Sequence, residues 1–221
     1  MSSGNNLSVI LNRIHSAASL AGRDPDSVTL VAVAKYSRMD EVTPLIDQGV
    51  VHIAENVVQN AARWNDFSGR ENVKLHMIGH LQRNKVSRAL DIFDSIDTVD
   101  SERLAKRIVD LSTKPIGVMI EVNISGESNK TGCQIADIEP IVDVITNSDT
   151  VKLCGVFTMC PIDATQKNRE NIYLKASDIA SELEQRLGWK LERSYGMSDD
   201  FELAIRCGAT QVRIGRALFG G

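Results

Sequence analysis

Lys35 is the residue with the most chemical promise in this chain of 221 residues. It closes the uncharged stretch Thr29–Ala34. Period-two alternation puts Val31, Val33 and Lys35 on one side of an extended segment. An amine in apolar surroundings loses hydration, which disfavours the ammonium and favours the neutral form that attacks an aldehyde to give a Schiff base. Two plainer readings stand beside this one: a lysine snorkelling out at a strand end, or a lysine paired with Glu121.

Two other segments could grip an anion. Gly196-Met197-Ser198 offers backbone N–H groups and a hydroxyl. Ser198 also reads as the N-cap of a following helix, with Asp199, Asp200 and Glu202 complementing its dipole. For a dianion to bind here, both aspartates must point to solvent. In Arg213-Ile-Gly-Arg216, Gly215 allows close backbone approach and two guanidinium groups supply charge-assisted donors. Together with Lys35 these pieces describe a site for an aldehyde that also carries a phosphate, and pyridoxal 5′-phosphate is such a molecule. His76, in the apolar run Leu75–Ile78, reads as a satisfied core histidine or as a general base. Glu121 is a carboxylate between Ile120 and Val122 that needs a partner, with Lys35 or an arginine expected to supply it.

The elements that must position these residues form a regular alternation. Apolar runs suited to buried parallel strands fall at Thr29–Tyr36, His52–Asn56, Leu75–His80, Ser95–Val99, Gly117–Asn123, Lys152–Thr158, Glu192–Gly196 and Val212–Phe219. Between them amphipathic periodicity predicts helices near 39–48, 57–65, 81–92, 101–112, 135–147, 166–187 and 199–207. A further helix over about 5–22 precedes them. Strand–helix alternation implies parallel pairing with right-handed crossovers, and eight such units make a (β/α)8 barrel. No final helix is expected after the eighth strand, and the N-terminal helix is expected to fill its place in the outer ring. A doubly wound open sheet would more naturally carry a Gly-rich turn after its first strand, which Lys35-Tyr-Ser-Arg38 does not supply. In a barrel, chemistry lies at the C-terminal strand ends, with phosphate often held by the loops after strands seven and eight. Lys35, Asn56, Ser198 and the Arg213–Arg216 segment all fall there.

Composition narrows the classes. Charged residues at 24%, hydrophobic residues at 43% and a net charge of −4 are ordinary globular values. Folding at this length hides about 70% of the chain's surface, enough for one core, and residues 1–221 are expected to form a single domain. The acidic balance argues against a general nucleic-acid binder. No apolar run approaches the roughly 20 residues that cross a bilayer. Cys133, Cys154, Cys160 and Cys207 form no metal-type spacing and suit a reducing compartment, so a cytoplasmic protein is expected.

Taken in order, Leu30-Val-Ala-Val-Ala-Lys35, Glu55-Asn-Val-Val-Gln59, His76-Met-Ile-Gly-His-Leu-Gln-Arg-Asn-Lys85, Glu121-Val-Asn-Ile124, Lys130-Thr-Gly132, Gly196-Met-Ser-Asp-Asp200 and Val212-Arg-Ile-Gly-Arg-Ala-Leu-Phe-Gly220 resemble the YggS/PROSC family of pyridoxal phosphate homeostasis proteins. The resemblance spans nearly the whole chain. It implies a fold-type III barrel like the N-terminal domain of alanine racemase, with pyridoxal 5′-phosphate held on Lys35 as an internal aldimine. It implies that Ser198, the Arg213–Arg216 segment and the backbone of Met197 and Gly215 hold the phosphate. Arg213 alternatively faces the ring nitrogen, and Asn56 and His76 line the ring pocket. Two departures stand out: Ala54 where the family usually has Gly, and Arg216 where it usually has Ser or Thr. The second removes the hydroxyl that would contact the phosphate and leaves a backbone N–H and a guanidinium as its substitutes.

Three functions compete. A monomeric carrier would store the cofactor and deliver it to apo-enzymes, without turnover. A racemase-like enzyme needs acid–base groups on both faces of its substrate. In the related two-domain racemases the second group is a tyrosine from a separate domain for which this chain has no residues. Tyr36, next to Lys35, is expected on the opposite side of the strand. A cofactor-free lyase of the aldolase kind needs only Lys35 and a carboxylate such as Glu121. The resemblance favours the carrier.

Overall fold

The computed structural model describes residues 3–127 and 131–220, so Lys130 of the Lys130–Gly132 string lies outside the described residues. Eight strands form a closed parallel barrel in sequence order: β1 Thr29–Val33, β2 His52–Glu55, β3 Lys74–Met77, β4 Ser95–Val99, β5 Ile116–Glu121, β6 Val151–Phe157, β7 Glu192–Ser194 and β8 Gln211–Ile214. Closure is made by β8 on β1, in register from Thr29 opposite Gln211 to Ala32 opposite Ile214. The helices between strands are α2 Met39–Asp47, α3 Val58–Ala61, α4 Val86–Ile92, α5 Glu102–Leu111, α6 Ile138–Thr146, α7 Gln166–Leu187 and α8 Phe201–Arg206. The sequence expectation of a (β/α)8 barrel therefore holds.

The leading helix α1, Ser3–Leu20, buries Leu7, Ile10, Ile14, Ala17 and Ala18 and packs against α2 and α8. It thus closes the outer ring where a full eighth helix would lie. It stops at Gly22, which takes φ 69° while the Arg23 N–H returns to the Ala18 carbonyl at 2.9 Å.

Alternation along each strand separates two cores. Leu30, Ala32 and Ala34 join the apolar layer beneath the helices, as do Val118, Ile120, Val212 and Ile214. Their neighbours Val31, Met119, Glu121 and Arg213 face the barrel interior. That interior holds a polar cluster: His76, Ser95, Asp97, Glu121 and Arg213 are all buried there, where a (β/α)8 barrel usually stacks branched apolar side chains.

Strand ends differ from expectation in one direction. β1 stops at Val33, β2 at Glu55, β3 at Met77 and β6 at Phe157, so Lys35, Asn56, His80 and Thr158 sit in loops. Side chains satisfy several backbone groups there instead of the ladder, as described below. The eighth strand is the largest correction. It ends at Ile214 instead of running to Phe219, and a short helix, α9 Arg216–Phe219, follows where none was expected. The Gly215 carbonyl accepts from the Leu218 and Phe219 N–H groups at 2.9 and 3.1 Å, which curls the chain into a turn of helix that Gly220 ends at φ 79°.

Gly79 lies where the loop after β3 crosses the loop after β2. A Cβ at this position would sit 2.0 Å from the Asn56 carbonyl oxygen, a backbone atom. Gly79→Ala is expected to lower the free energy of unfolding by about 3 kcal/mol, read as a fall in the urea midpoint. A variant as stable as the wild type would show that the two loops part at no cost.

Candidate functional site

Lys35 lies just past the end of β1 in a turn held from below. Arg63 donates from Nη2 to the Ala34 carbonyl at 2.8 Å and from Nη1 to the Ser37 carbonyl at 2.5 Å, bracketing Lys35 on both sides. Arg63 is itself fixed by Glu55, whose Oε1 accepts from Arg63 Nε, Arg63 Nη2 and the Trp64 indole. Glu55 is fully buried, so its charge needs this partner. The Lys35 ammonium has no ion pair among the described residues. Its Nζ lies 5.0 Å from the centre of the Tyr36 ring. The turn, not strand parity, sets Tyr36: it stands beside Lys35 instead of on the opposite side.

Lys35 lines a cavity of about 340 Å³ with Val33, Tyr36, Glu41, Gly215, Arg216 and Phe219. Of the residues expected at the site, Lys35, Gly215 and Arg216 are thus brought together. Asn56, His76, Met197, Ser198 and Arg213 are not on its walls. Gly215 passes against β1, with its Cβ position 3.3 Å from the Val33 carbonyl oxygen, so this wall is backbone. Ser198 sits beside the cavity, its hydroxyl facing the Ala217 N–H in the first turn of α9 at 3.4 Å. The Arg216 guanidinium reaches across to Asp199 at 2.5 Å, and both are solvent-exposed.

The loop after β7 departs from expectation. Asp199 is exposed, but Asp200 is buried. Its Oδ1 accepts from the Met197 N–H at 2.7 Å, and its Oδ2 accepts from Arg169 Nη1 at 2.6 Å and the Tyr173 hydroxyl at 2.8 Å. Burial holds the Tyr173 phenol far above its usual range, so it stays a donor. Asp200, not Ser198, stands at the N-cap position of α8. The Met197 N–H is therefore engaged within the protein and not free for an anion.

Arg213 is buried in the barrel interior at 3% exposure. Its Nη1 donates to the Ser194 carbonyl and hydroxyl at 2.6 and 2.9 Å, and its Nη2 donates to the Thr158 carbonyl at 3.0 Å. It ties the ends of β6 and β7 together and lies 3.8 Å over the Phe157 ring. No carboxylate pairs with it among the described residues. Burial lowers its pKa to about 10, which leaves it charged at neutral pH.

The pairing expected for Glu121 is not formed. Its Oε1 accepts from the Thr131 hydroxyl at 2.6 Å, its Oε2 has no partner among the described residues, and neither Lys35 nor Arg213 bridges to it. Burial raises its pKa, favouring the protonated acid.

His76 takes the satisfied-core form. Its Nδ1 is hydrogen-bonded to the Asp97 carboxylate at 2.9 Å, and its Nε2 shares a hydrogen bond with His52 Nδ1 at 2.9 Å. Ser95 completes the chain by donating to the other Asp97 oxygen at 2.5 Å. In register His76 stands opposite Ala54 and Ala54 opposite Val33, one inner residue below the level of Lys35. It underlies the mouth.

Comparisons with known proteins accord with this geometry. The profile of the family described as alanine racemase, N-terminal domain, matches residues 6–221. The pyridoxal phosphate homeostasis protein of Escherichia coli K12 is 32% identical, across 97% of this chain and 94% of that protein. The chain belongs to this family. Among solved structures, an unknown protein from Bifidobacterium adolescentis superposes with a TM-score of 0.90 at 31% identity, over 98% of this chain and 94% of that one. PipY of Synechococcus elongatus, described with PLP bound, superposes at 0.80 with 30% identity, over 94% of this chain and all of that one (100%). An alanine racemase of Clostridium difficile shares the fold alone, at 16% identity and a TM-score of 0.73, and this chain covers 56% of it.

Against this family background, residues that sequence reasoning passed over are structural partners: Arg63, Asp97, His52, Arg169 and Tyr173. Only Asp97 has a legible signal, its period-two pairing with Ser95 in a strand that places Ile96 on the other face. The histidine chain gives a pH prediction. Burial, helped by His76 and Lys74, pushes the His52 pKa down to about 4 from an ordinary 6.5. The unfolded chain therefore binds the proton first, and stability falls as pH drops from about 6.5 towards 4. The expected loss is ~1–2 kcal/mol, allowing for partial exposure. It is read as the difference in urea-unfolding free energy between wild type and His52→Asn across that window. Parallel curves would contradict the assignment to His52.

Proposed function

We propose that this protein binds pyridoxal 5′-phosphate at the C-terminal mouth of its barrel, with Lys35 as the point of covalent attachment, and acts as a carrier in cofactor homeostasis. The observation that carries the proposal is the Lys35 amine, free of any ion pair among the described residues, in a cavity whose opposite wall is Gly215 and the first turn of α9. The donor set fits the ligand. Backbone, hydroxyl and guanidinium groups after β7 and β8 are the usual phosphate station of such barrels. The cavity volume of about 340 Å³ lies within the ~300–1,000 Å³ range of small-molecule sites. The relatives named for pyridoxal phosphate homeostasis, and PipY with PLP bound, support the same ligand.

When bound, the cofactor supplies an aldehyde that an amine can hold and a phosphate that can be gripped separately. Lys35 provides the amine, and the Arg63 bracket fixes its backbone. Ser198, the Gly215 backbone and Arg216 hold the phosphate. Arg216 does so by exchanging the exposed Asp199 carboxylate for the ligand, a small cost because exposed pairs are weak, ~0–1 kcal/mol. Arg213, pinned by two strand-end carbonyls and a hydroxyl, presents a fixed positive charge to the ring nitrogen. Asn56 borders the ring and His76 supports the floor. A cation at the ring nitrogen weakens the electron sink that catalysis on this cofactor uses, which favours carriage over turnover.

The racemase-like reading has one feature in its favour, the Tyr36 ring close to Lys35. Racemisation needs acid–base groups on opposite faces, and Tyr36 lies on the lysine's own side. In the carrier reading residues 1–221 work as one monomeric domain in the cytoplasm, passing the cofactor to apo-enzymes. Free thiols at Cys133, Cys154 and Cys207 suit that compartment.

Borohydride reduction of protein incubated with pyridoxal 5′-phosphate is expected to add one covalent label, mapped by mass spectrometry to Lys35. Lys35→Ala is expected to lose the label and keep weak, phosphate-dependent binding. Label on another lysine, or none, contradicts the proposal. Steady turnover of a D- or L-amino acid by the loaded protein would replace the carrier with the enzyme.

A further inference from the structure

The carboxylate of Asp200 joins two loops that sequence order keeps apart. On one side it takes the Met197 N–H and so shapes the Gly196–Ser198 turn after β7. On the other it takes the Arg169 guanidinium, which also donates from Nε to the Ala164 carbonyl at 3.0 Å and from Nη2 to the Ile162 carbonyl at 2.9 Å. Ala164 and Ile162 belong to the loop between β6 and α7. The Tyr173 hydroxyl fills the remaining side of the Asp200 Oδ2. Three donors from two segments, the turn after β7 and the first turns of α7, thus converge on a carboxylate that is 6% exposed. Breaking such a pair by removing one member leaves an uncompensated charge and moves the backbone it held.

We infer that Arg169 and Asp200 are positioning residues for the phosphate end of the site, coupling the β6–α7 loop to the turn that carries Ser198. By engaging Met197 N–H, Asp200 fixes which groups of the turn remain for an anion: the Ser198 hydroxyl, set against the first turn of α9, is one. The β6–α7 loop carries Ile162, which is 94% exposed, at the outer end of the same chain of contacts. Movement of that loop is therefore transmitted through Arg169 to the phosphate end and not to Lys35, whose turn is held independently by Arg63 and Glu55. The inference rests on the phosphate-binding role of Ser198 proposed above, and it adds the means by which phosphate grip can be altered without touching the covalent link.

The test uses the full chain and two aldehydes, pyridoxal 5′-phosphate and phosphate-free pyridoxal, each titrated by absorbance of the lysine-bound form. Asp200→Asn keeps an acceptor for Met197 but loses the charge that holds Arg169. It is expected to weaken binding of the phosphorylated aldehyde about tenfold, equivalent to ~1.4 kcal/mol, and that of pyridoxal by less than about twofold. Arg169→Gln should do the same. Tyr173→Phe, which leaves the ion pair intact, should resemble the wild type. Equal weakening for both aldehydes, or none for either, overturns the inference. Hydrogen exchange without ligand provides a measurement independent of cofactor binding. Asp200→Asn should speed exchange at Met197 together with that of the amides at 162–165. Faster exchange confined to one loop overturns the coupling even if the cofactor binds. Coupled exchange in a wild-type protein that takes up neither aldehyde would instead overturn the cofactor reading and leave the loop coupling supported.

Discussion

The pairing of β8 on β1 is the constraint on which the rest depends. It joins the two ends of the strand series, with Thr29 to Ala32 in register with Gln211 to Ile214. Without that closure Lys35 and Gly215 would be nearly two hundred residues apart along the chain and unrelated in space. With it, the loop after the first strand and the loop after the last share one cavity. Parallel closure also puts every strand's C-terminal end on the same side, so the loops after β1, β7 and β8 meet at one mouth.

Closure creates an electrostatic difficulty that the structure resolves in layers. The barrel interior contains Arg213, Asp97, Glu121 and His76, and buried charge is costly unless paired and hydrogen-bonded. Arg213 is satisfied by strand-end carbonyls and a hydroxyl instead of a carboxylate. Asp97 is satisfied by His76 and Ser95. Outside the barrel wall, two buried carboxylates each hold an arginine: Glu55 with Arg63 braces the Lys35 turn, and Asp200 with Arg169 braces the Ser198 turn. The turn that carries Lys35 and the turn that carries Ser198 thus have separate supports.

Much of this was legible in the sequence. Eight apolar runs separated by amphipathic ones specify eight strands and their helices, because side-chain period distinguishes the two. The apolar stripe over 166–187 predicts α7 with its observed bounds. Lys35 stood out because an uncharged stretch precedes it. Strand ends were less legible, since apolar residues continue past the last ladder hydrogen bond: Val212–Phe219 reads as one run, yet the Gly215 carbonyl curls its second half into α9. The sequence predicts Asp200 facing solvent, because an inward carboxylate opposes a dianion, yet the structure buries it. Nothing local shows that Arg169, thirty-one residues away, reaches it.

The sequence by itself determined the alternation, and with it the barrel, the lysine just past the first strand and the glycines, serine and arginines that follow the last two. These follow from periodicity and residue type, which are local properties of the chain. Only the tertiary structure decided which charges meet. It turned Tyr36 to the side of Lys35, sent Arg216 to Asp199, buried Asp200 against Arg169 and left Glu121 without the expected partner. Pairing over such distances depends on how loops pack once the barrel has closed, and no spacing in the sequence encodes that packing.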